Sequence, residues 1–258
     1  VESIVHVGGD PHVYQPVPSD ARKLARAAIV IRNGLGLERG LDKLIGASSS
    51  GRAVVTVTDG IAPLIQTNGT YAGKPDPHMW MDPSLTMHYV AQIRDGLAAR
   101  FPEHADRFAE NAEGLLVEIA GLDDWIGSVL ASIPSGNRKL VTTHDAFRYF
   151  GQRYGLDVVA TIWGISTERE PSAYEVGNIV RAIRTNKVPV VFIETTINPK
   201  LMTRIALEAG IKVGAPLYGD SVGVRGSGAE TYLGMMRANA HAIAAALTPI
   251  QQTAQNDE

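Results

Sequence analysis

The chain has 258 residues, 45% of them apolar and 20% charged, an ordinary globular composition with room for one large domain or two lobes of about 100 to 150 residues. A net charge of −3, without any Lys/Arg run carrying interleaved aromatics, excludes a nucleic-acid surface, and no apolar stretch reaches the roughly 18 residues of a membrane span. With no cysteine there is neither a disulfide nor a thiolate ligand, so any metal must be held by imidazole and carboxylate.

In chain order, Val1–Val7 reads as an apolar strand that starts abruptly, as though a leader had been removed or the chain began within a fold. Ser19 and Asp20 can cap a helix through Ala28, Ala28–Ile31 is a short buried strand, and Leu37–Ala47 has helical periodicity. Ala53–Val57 is the next strand. A loop rich in glycine and proline fills Asp59 to Pro83, and loops of that length are commonly functional. Helical pattern returns over Ser84–Arg100 and, after Pro102, over Glu103–Ile133, with apolar positions at Phe108, Leu115, Ile119, Leu122, Ile126 and Leu130. About 30 helical residues span about 45 Å, more than one lobe needs, so this helix is expected to be a spine between two lobes.

Beyond Pro134 the alternation restarts. Strands are expected at Lys139–Thr142, Asp157–Ile162, Pro189–Ile193 and Ile211–Ala215, and helices at Ala146–Tyr154, from the capping box Ser172–Glu175 to Asn186, at Pro199–Ala209, and from Glu230 to Leu247. Gln251–Glu258 reads as a frayed polar end. The fold class is α/β, with parallel sheets flanked by helices. Residues 1–102 form an N-terminal lobe, 103–133 the linking helix and 134–258 a C-terminal lobe.

Two stretches repeat a tripeptide sixty-six residues apart: Asp10-Pro11-His12 in G-G-D-P-H-V-Y-Q-P, and Asp76-Pro77-His78 in K-P-D-P-H-M-W-M-D-P. In each, proline fixes φ and biases the aspartate before it to an extended conformation, so the histidine is presented from a stiff loop. His144 follows the β-rich run Leu140-Val141-Thr142-Thr143 at the carboxyl end of a strand, where open α/β sheets bind ligands. Asp220, in G-D-S-V-G, and Glu194, which closes Val190–Ile193, occupy similar strand-end positions. His6, His88, His104 and His241 lie within strand or helical patterns and read as core or surface histidines. Three imidazoles and one carboxylate match zinc at four-coordination, or manganese if the carboxylate is bidentate or water joins. Ligands so far apart in sequence can meet only if both lobes contribute.

The motifs G-G-D-P-H-V-Y-Q-P, P-D-P-H-M-W-M-D-P, V-T-T-H-D-A-F-R-Y-F, G-I-S-T-E-R-E-P-S-A, V-F-I-E-T-T-I-N-P-K and P-L-Y-G-D-S-V-G with E-T-Y-L-G-M-M-R-A-N follow one another from residue 5 to 248. In that order they resemble the zinc- and manganese-binding solute receptors of bacterial ABC importers, the cluster A-I group that includes adhesin-type lipoproteins. The resemblance implies two α/β lobes on one long helix with metal between them, His12, His78, His144 and Asp220 as ligands, and Glu194 as a recurrent acid behind them. It further implies a periplasmic or extracytoplasmic location, a membrane permease as partner and a monomeric receptor. Members usually carry a strand and helix ahead of the segment at Val1, so an initial β/α unit is expected to be missing. Histidine at position 144, where manganese receptors often carry glutamate, leans the choice toward zinc. The histidine-rich loop of many zinc receptors is absent from Asp59–Pro75.

Enzymatic readings compete. Gly219–Gly223 fits G-x-S-x-G, but only Glu230 and His241 follow it as acid and base, both in the last helix. Gly34–Gly40 is one residue too long for a dinucleotide fingerprint. A metal-dependent hydrolase on the same ligands needs an open position for water and a general base, whereas four protein ligands describe a closed site.

Overall fold

Two short parallel strands begin the fold: β1 (Ile29–Arg32) pairs with β2 (Ala53–Thr56), Ile29 lying opposite Ala53. The computed structural model describes residues 1–48 and 53–249, so the tail 251–258 expected to fray lies outside the described residues. Ahead of β1, helix α1 (Pro18–Arg26) starts with proline at its first turn, and α2 (Arg39–Ser48) makes the crossover to β2. Asp20 caps α1 from inside the helix, accepting from the Val17 amide at 2.9 Å, so the helix begins ahead of the expected Ser19. The strand expected over Val1–Val7 does not form. Its polar groups are satisfied locally, Ser3 Oγ donating to Val5 O and the Gly9 amide to His6 O, and no ladder is made.

Helix α3 (Pro83–Arg100) is capped by Asp82, whose carboxylate accepts from the Ser84 amide at 2.8 Å. A 3-10 turn at Pro102–His104 then leads into α4 (Ala105–Leu130), the long helix. It is shorter than the expected 103–133, and its 26 residues span about 39 Å. Ile119, Leu122, Ile126 and Leu130 are at most 1% exposed, and each contributes about 1.5–3 kcal/mol by burial. Leu115, expected on the apolar stripe, is instead exposed; Ala112 and Leu116 pack there, against Val90 of α3.

The second half adds β3 (Lys139–Thr142), α5 (Arg148–Tyr154), β4 (Asp157–Thr161), α6 (Ala173–Thr185), β5 (Val190–Val191), α7 (Lys200–Ala209), β6 (Lys212–Val213) and α8 (Tyr232–Leu247). The capping box at Ser172 is present, Ser172 Oγ accepting from the Glu175 amide and the Glu175 carboxylate from the Ser172 amide. The last helix starts later than the expected Glu230 because Thr231 is its N-cap. β3 pairs with β4 and β5 with β6, all parallel, and the Phe192 amide just beyond β5 donates to Val141 O at 2.8 Å, which sets β5 beside β3 on the side away from β4. The chain therefore leaves β3 to one side and returns on the other. The crevice between the carboxyl ends of β3 and β5 is the place where such a sheet binds ligands.

The elements form the two-lobe α/β fold expected of the chain. The largest core is shared: Val57, Met79 and Met81 from the first half meet Leu140, Phe147, Phe192 and Leu217 from the second around α4 and α8. α8 thus lies along the long helix and does not serve the second sheet alone. Asp123 on α4 accepts from Arg153 and from Tyr154 OH of α5, fixing the helix to the second half through partly buried polar bonds.

Candidate metal centre

Both proline loops fold as the repeated tripeptide predicts. Asp10 Oδ1 accepts from the His12 amide at 2.9 Å, and Asp76 Oδ1 from the His78 amide at 3.0 Å. Each aspartate thereby bends the chain over its proline and turns the histidine inward. The second loop is held from several sides. Tyr149 OH donates to Asp76 O at 3.0 Å, and Asn33 Nδ2 donates to Pro77 O at 3.0 Å. Asn33 opens the turn Gly34-Leu35-Gly36, all three residues with positive φ. A Cβ at Gly34 would also meet Thr56 Cγ2 at 2.5 Å. The glycines of this turn thus shape a brace for the His78 loop.

His144 lies two residues beyond β3, in the crevice. Its amide donates to Glu194 Oε1 at 2.8 Å, Thr143 Oγ1 donates to the same oxygen at 2.7 Å, and the Glu194 amide returns a bond to Thr143 Oγ1 at 3.0 Å. Asp220 follows Gly219, where a Cβ would fall 2.3 Å from Glu194 Oε2, so only glycine lets the loop pass. Neither Gly219 nor Gly223 has positive φ, so these glycines supply space for close approach and not a left-handed turn. Asn239 of α8 grips the preceding Tyr218, accepting from its amide and donating to its carbonyl, both at 2.8 Å.

These elements bring His12, His78, His144 and Asp220 to one point. His78 Nε2 is 3.3 Å from His12 Nε2 and 3.2 Å from His144 Nε2. Asp220 Oδ2 lies 3.1 Å from His144 Nε2 and 3.6 Å from His12 Nε2, and Oδ1 lies 3.5 Å from His78 Nε2. Two ligand atoms 2.0–2.1 Å from one ion at a tetrahedral angle are about 3.3–3.4 Å apart, so the spacing is that of a coordination shell. All four side chains are at most 2% exposed, although the Asp220 backbone is partly open. Both Asp220 oxygens lack a hydrogen-bond donor among the described residues.

Two imidazoles are backed by acids. Asp76 Oδ1 is 2.7 Å from His78 Nδ1, and Glu194 Oε2 is 2.6 Å from His144 Nδ1. With the carboxylates beside Nδ1, the Nε2 atoms of His78 and His144 face the common point with that of His12, an arrangement that a cation stabilises. Burial pushes His12 down to about 3, so it stays neutral. Burial would also lower His144, but Asp220 and Glu194 outweigh it and raise it well above the ordinary histidine value. Burial would raise Asp220, yet the His144 imidazole holds it well below the usual carboxylate range. The sequence signal for Asp76 and Asp10 is their position two residues before each histidine. For Asn239 the sequence carries no such signal.

The family described as ZnuA, zinc-uptake complex component A, periplasmic, matches residues 1–246. The chain belongs to this family. The ZnuA family consists of substrate-binding proteins for transport and not of enzymes. Its relatives include the manganese-binding lipoprotein MntA of Halalkalibacterium halodurans, 37% identical over 249 residues, which are 96% of this chain and 81% of that protein. The iron-binding protein YfeA of Yersinia pestis is 36% identical over 244 residues, covering 95% and 78%. Among solved structures, the periplasmic zinc-binding protein TroA from Treponema pallidum superposes with a TM-score of 0.90 at 29% identity, covering 96% of this chain and 91% of that one. The geometry agrees with a ZnuA-family receptor and removes the hydrolase elbow. Ser221 Oγ accepts from the Gly8 amide and donates to Val222 O, while His241 packs edge-on against Trp125 with ring centroids 4.9 Å apart. His6, His88 and His104 also stand outside the centre, His88 bonding the Asp59 carbonyl at 2.8 Å.

Proposed function

We propose that this protein is the extracytoplasmic receptor of an ABC importer, closing a divalent transition metal between its lobes through His12, His78, His144 and Asp220 and handing it to a membrane permease. The observation that carries this is the convergence of three buried imidazole Nε2 atoms, 3.2–3.3 Å apart across His78, on a carboxylate without a donor of its own among the described residues. Residues 1–102 act as one lobe, 103–133 as the linking segment and 134–258 as the other, and the receptor works as a monomer. Four protein ligands leave no position for an activated water, which suits capture and not hydrolysis.

Zinc is the ion this donor set holds most tightly, because three imidazoles suit it and zinc stands above manganese in the order of divalent affinities. Manganese is the second reading. Both Asp220 oxygens face the imidazoles, at 3.1 and 3.5 Å, so the carboxylate can bind through both and raise the coordination number; MntA, a relative at 37% identity, is named for manganese. Capture competes with the proton that Asp220 and Glu194 favour on His144 and therefore weakens as pH falls. Release follows when the permease binds the open form better than the closed one. Elemental analysis of protein purified without added metal, followed by competitive titration of zinc against manganese, tests the reading. One ion per chain with zinc the tighter is expected. Absence of stoichiometric metal contradicts the receptor, and tighter manganese contradicts the preference.

A further inference from the structure

Asp220 is the one carboxylate among the four converging side chains, and among the described residues no hydrogen-bond donor aims it. Its loop is a run of bends, gripped from its own half by Asn239 at Tyr218. What brackets Asp220 itself comes from the other half of the molecule. Trp80 Nε1 donates to Gly219 O at 3.0 Å, and the Gly8 amide donates to Ser221 Oγ at 2.7 Å. One bond lands on the residue before Asp220 and one on the residue after it. We propose that Trp80, with the Gly8–Ser221 bond, is a positioning residue for the Asp220 carboxylate, a clasp that makes this ligand available only while the lobes are together.

The inference rests on the proposal that Asp220 is a ligand, and it adds what holds that ligand in place. Trp80 suits the task because it is fixed twice over. Its carbonyl accepts from Thr86 Oγ1 at 3.1 Å and from Tyr232 OH at 2.9 Å, and its ring stands edge-on to His78 with centroids 5.2 Å apart. The residue that packs against one imidazole therefore also sets the position of the carboxylate across the cleft. Packing on His78 needs only a large aromatic ring; the bond to Gly219 needs the indole N–H. A movement that draws Trp80 and Gly8 away from the Asp220 loop releases both bonds and frees the only anionic member of the four, so the carboxylate is the ligand coupled to opening.

Trp80→Phe keeps an aromatic ring beside His78 and removes the N–H. Ser221→Ala removes the other half of the clasp without touching a core residue and serves if the first variant folds poorly. Zinc and manganese affinities by competition, and release into excess chelator by stopped flow, are measured for wild type, each variant and each variant combined with Asp220→Asn. Loss of one hydrogen bond corresponds to about a two- to tenfold effect. Each single variant is expected to release metal faster by that factor and to weaken manganese more than zinc, because the harder ion depends more on the oxygen donor. Combined with Asp220→Asn, neither is expected to add anything. Equal losses for both metals, or full additivity with Asp220→Asn, would overturn the clasp while leaving the receptor intact. Wild-type protein that binds neither metal, or Asp220→Asn that binds like wild type, would overturn the ligand assignment and the clasp with it.

Discussion

The two Asp-Pro-His loops share a tripeptide and a turn, yet their aspartates do different work. Asp76 faces its own histidine twice, with Oδ1 near both the His78 amide and Nδ1, while Arg148 Nη1 stands 3.5 Å from Oδ2. Among the described residues Asp10 Oδ1 accepts from the His12 amide alone, and its Oδ2 accepts from Thr167 Oγ1 of the other half at 2.6 Å. His78 is accordingly a candidate ligand whose Nδ1 lies against a buried carboxylate. His12 is neutral by burial and sits in a loop whose acid joins the lobes. A repeated motif fixes how a side chain is presented, and its surroundings decide what the acid beside it does.

The comparison breaks first at the ligands. His78→Ala should weaken zinc by more than the ~10–100-fold typical of losing an outer partner of a ligand, with the fold kept, as read by competition titration and circular dichroism. An unchanged dissociation constant would remove His78 from the centre. At the next level, Asp76→Asn should cost on the order of 10–100-fold in affinity for either metal, because the His78 imidazole loses its carboxylate. Asp10→Asn should cost far less, since an amide oxygen can still accept from the His12 amide. Similar losses in the two variants would erase the distinction between the loops. Asp220→Asn should harm manganese more than zinc, and His144→Gln should not reproduce that bias. Equal losses for both metals in both variants would contradict Asp220 as the electrostatic anchor.

How much of this was legible beforehand follows the same division. The strand at Lys139–Thr142, the capping box at Ser172 and the proline-stiffened histidines are local, and local chemistry is written in adjacent residues. The long helix could be read from its apolar spacing, but not that Leu115 would be exposed, because that depends on where α3 and α8 lie beside it. Val1–Val7 carries a strand's composition without a partner to pair with, and apolar residues alone do not make a strand. Asp76, Trp80 and Asn239 act across 2, 139 and 21 residues respectively, and only the first of these distances is visible in sequence.

Smaller effects sharpen the account. Thr167→Val removes the bond to Asp10 and should speed metal release about two- to tenfold with little change in the protein's melting temperature, measured by stopped flow and by thermal unfolding. The long helix, tied to α5 through Asp123 and packed along α8, should permit only small closure, so scattering curves of metal-free and loaded protein should nearly superimpose. A large change in radius of gyration would contradict a rigid spine.

The most direct measurement is anomalous diffraction from crystals of the zinc-loaded protein, recorded on both sides of the zinc absorption edge. A single strong peak is predicted about 2.0–2.2 Å from Nε2 of His12, His78 and His144 and from an Asp220 oxygen. A peak elsewhere, or one that leaves out either Asp-Pro-His histidine, would contradict a metal centre shared between the two lobes.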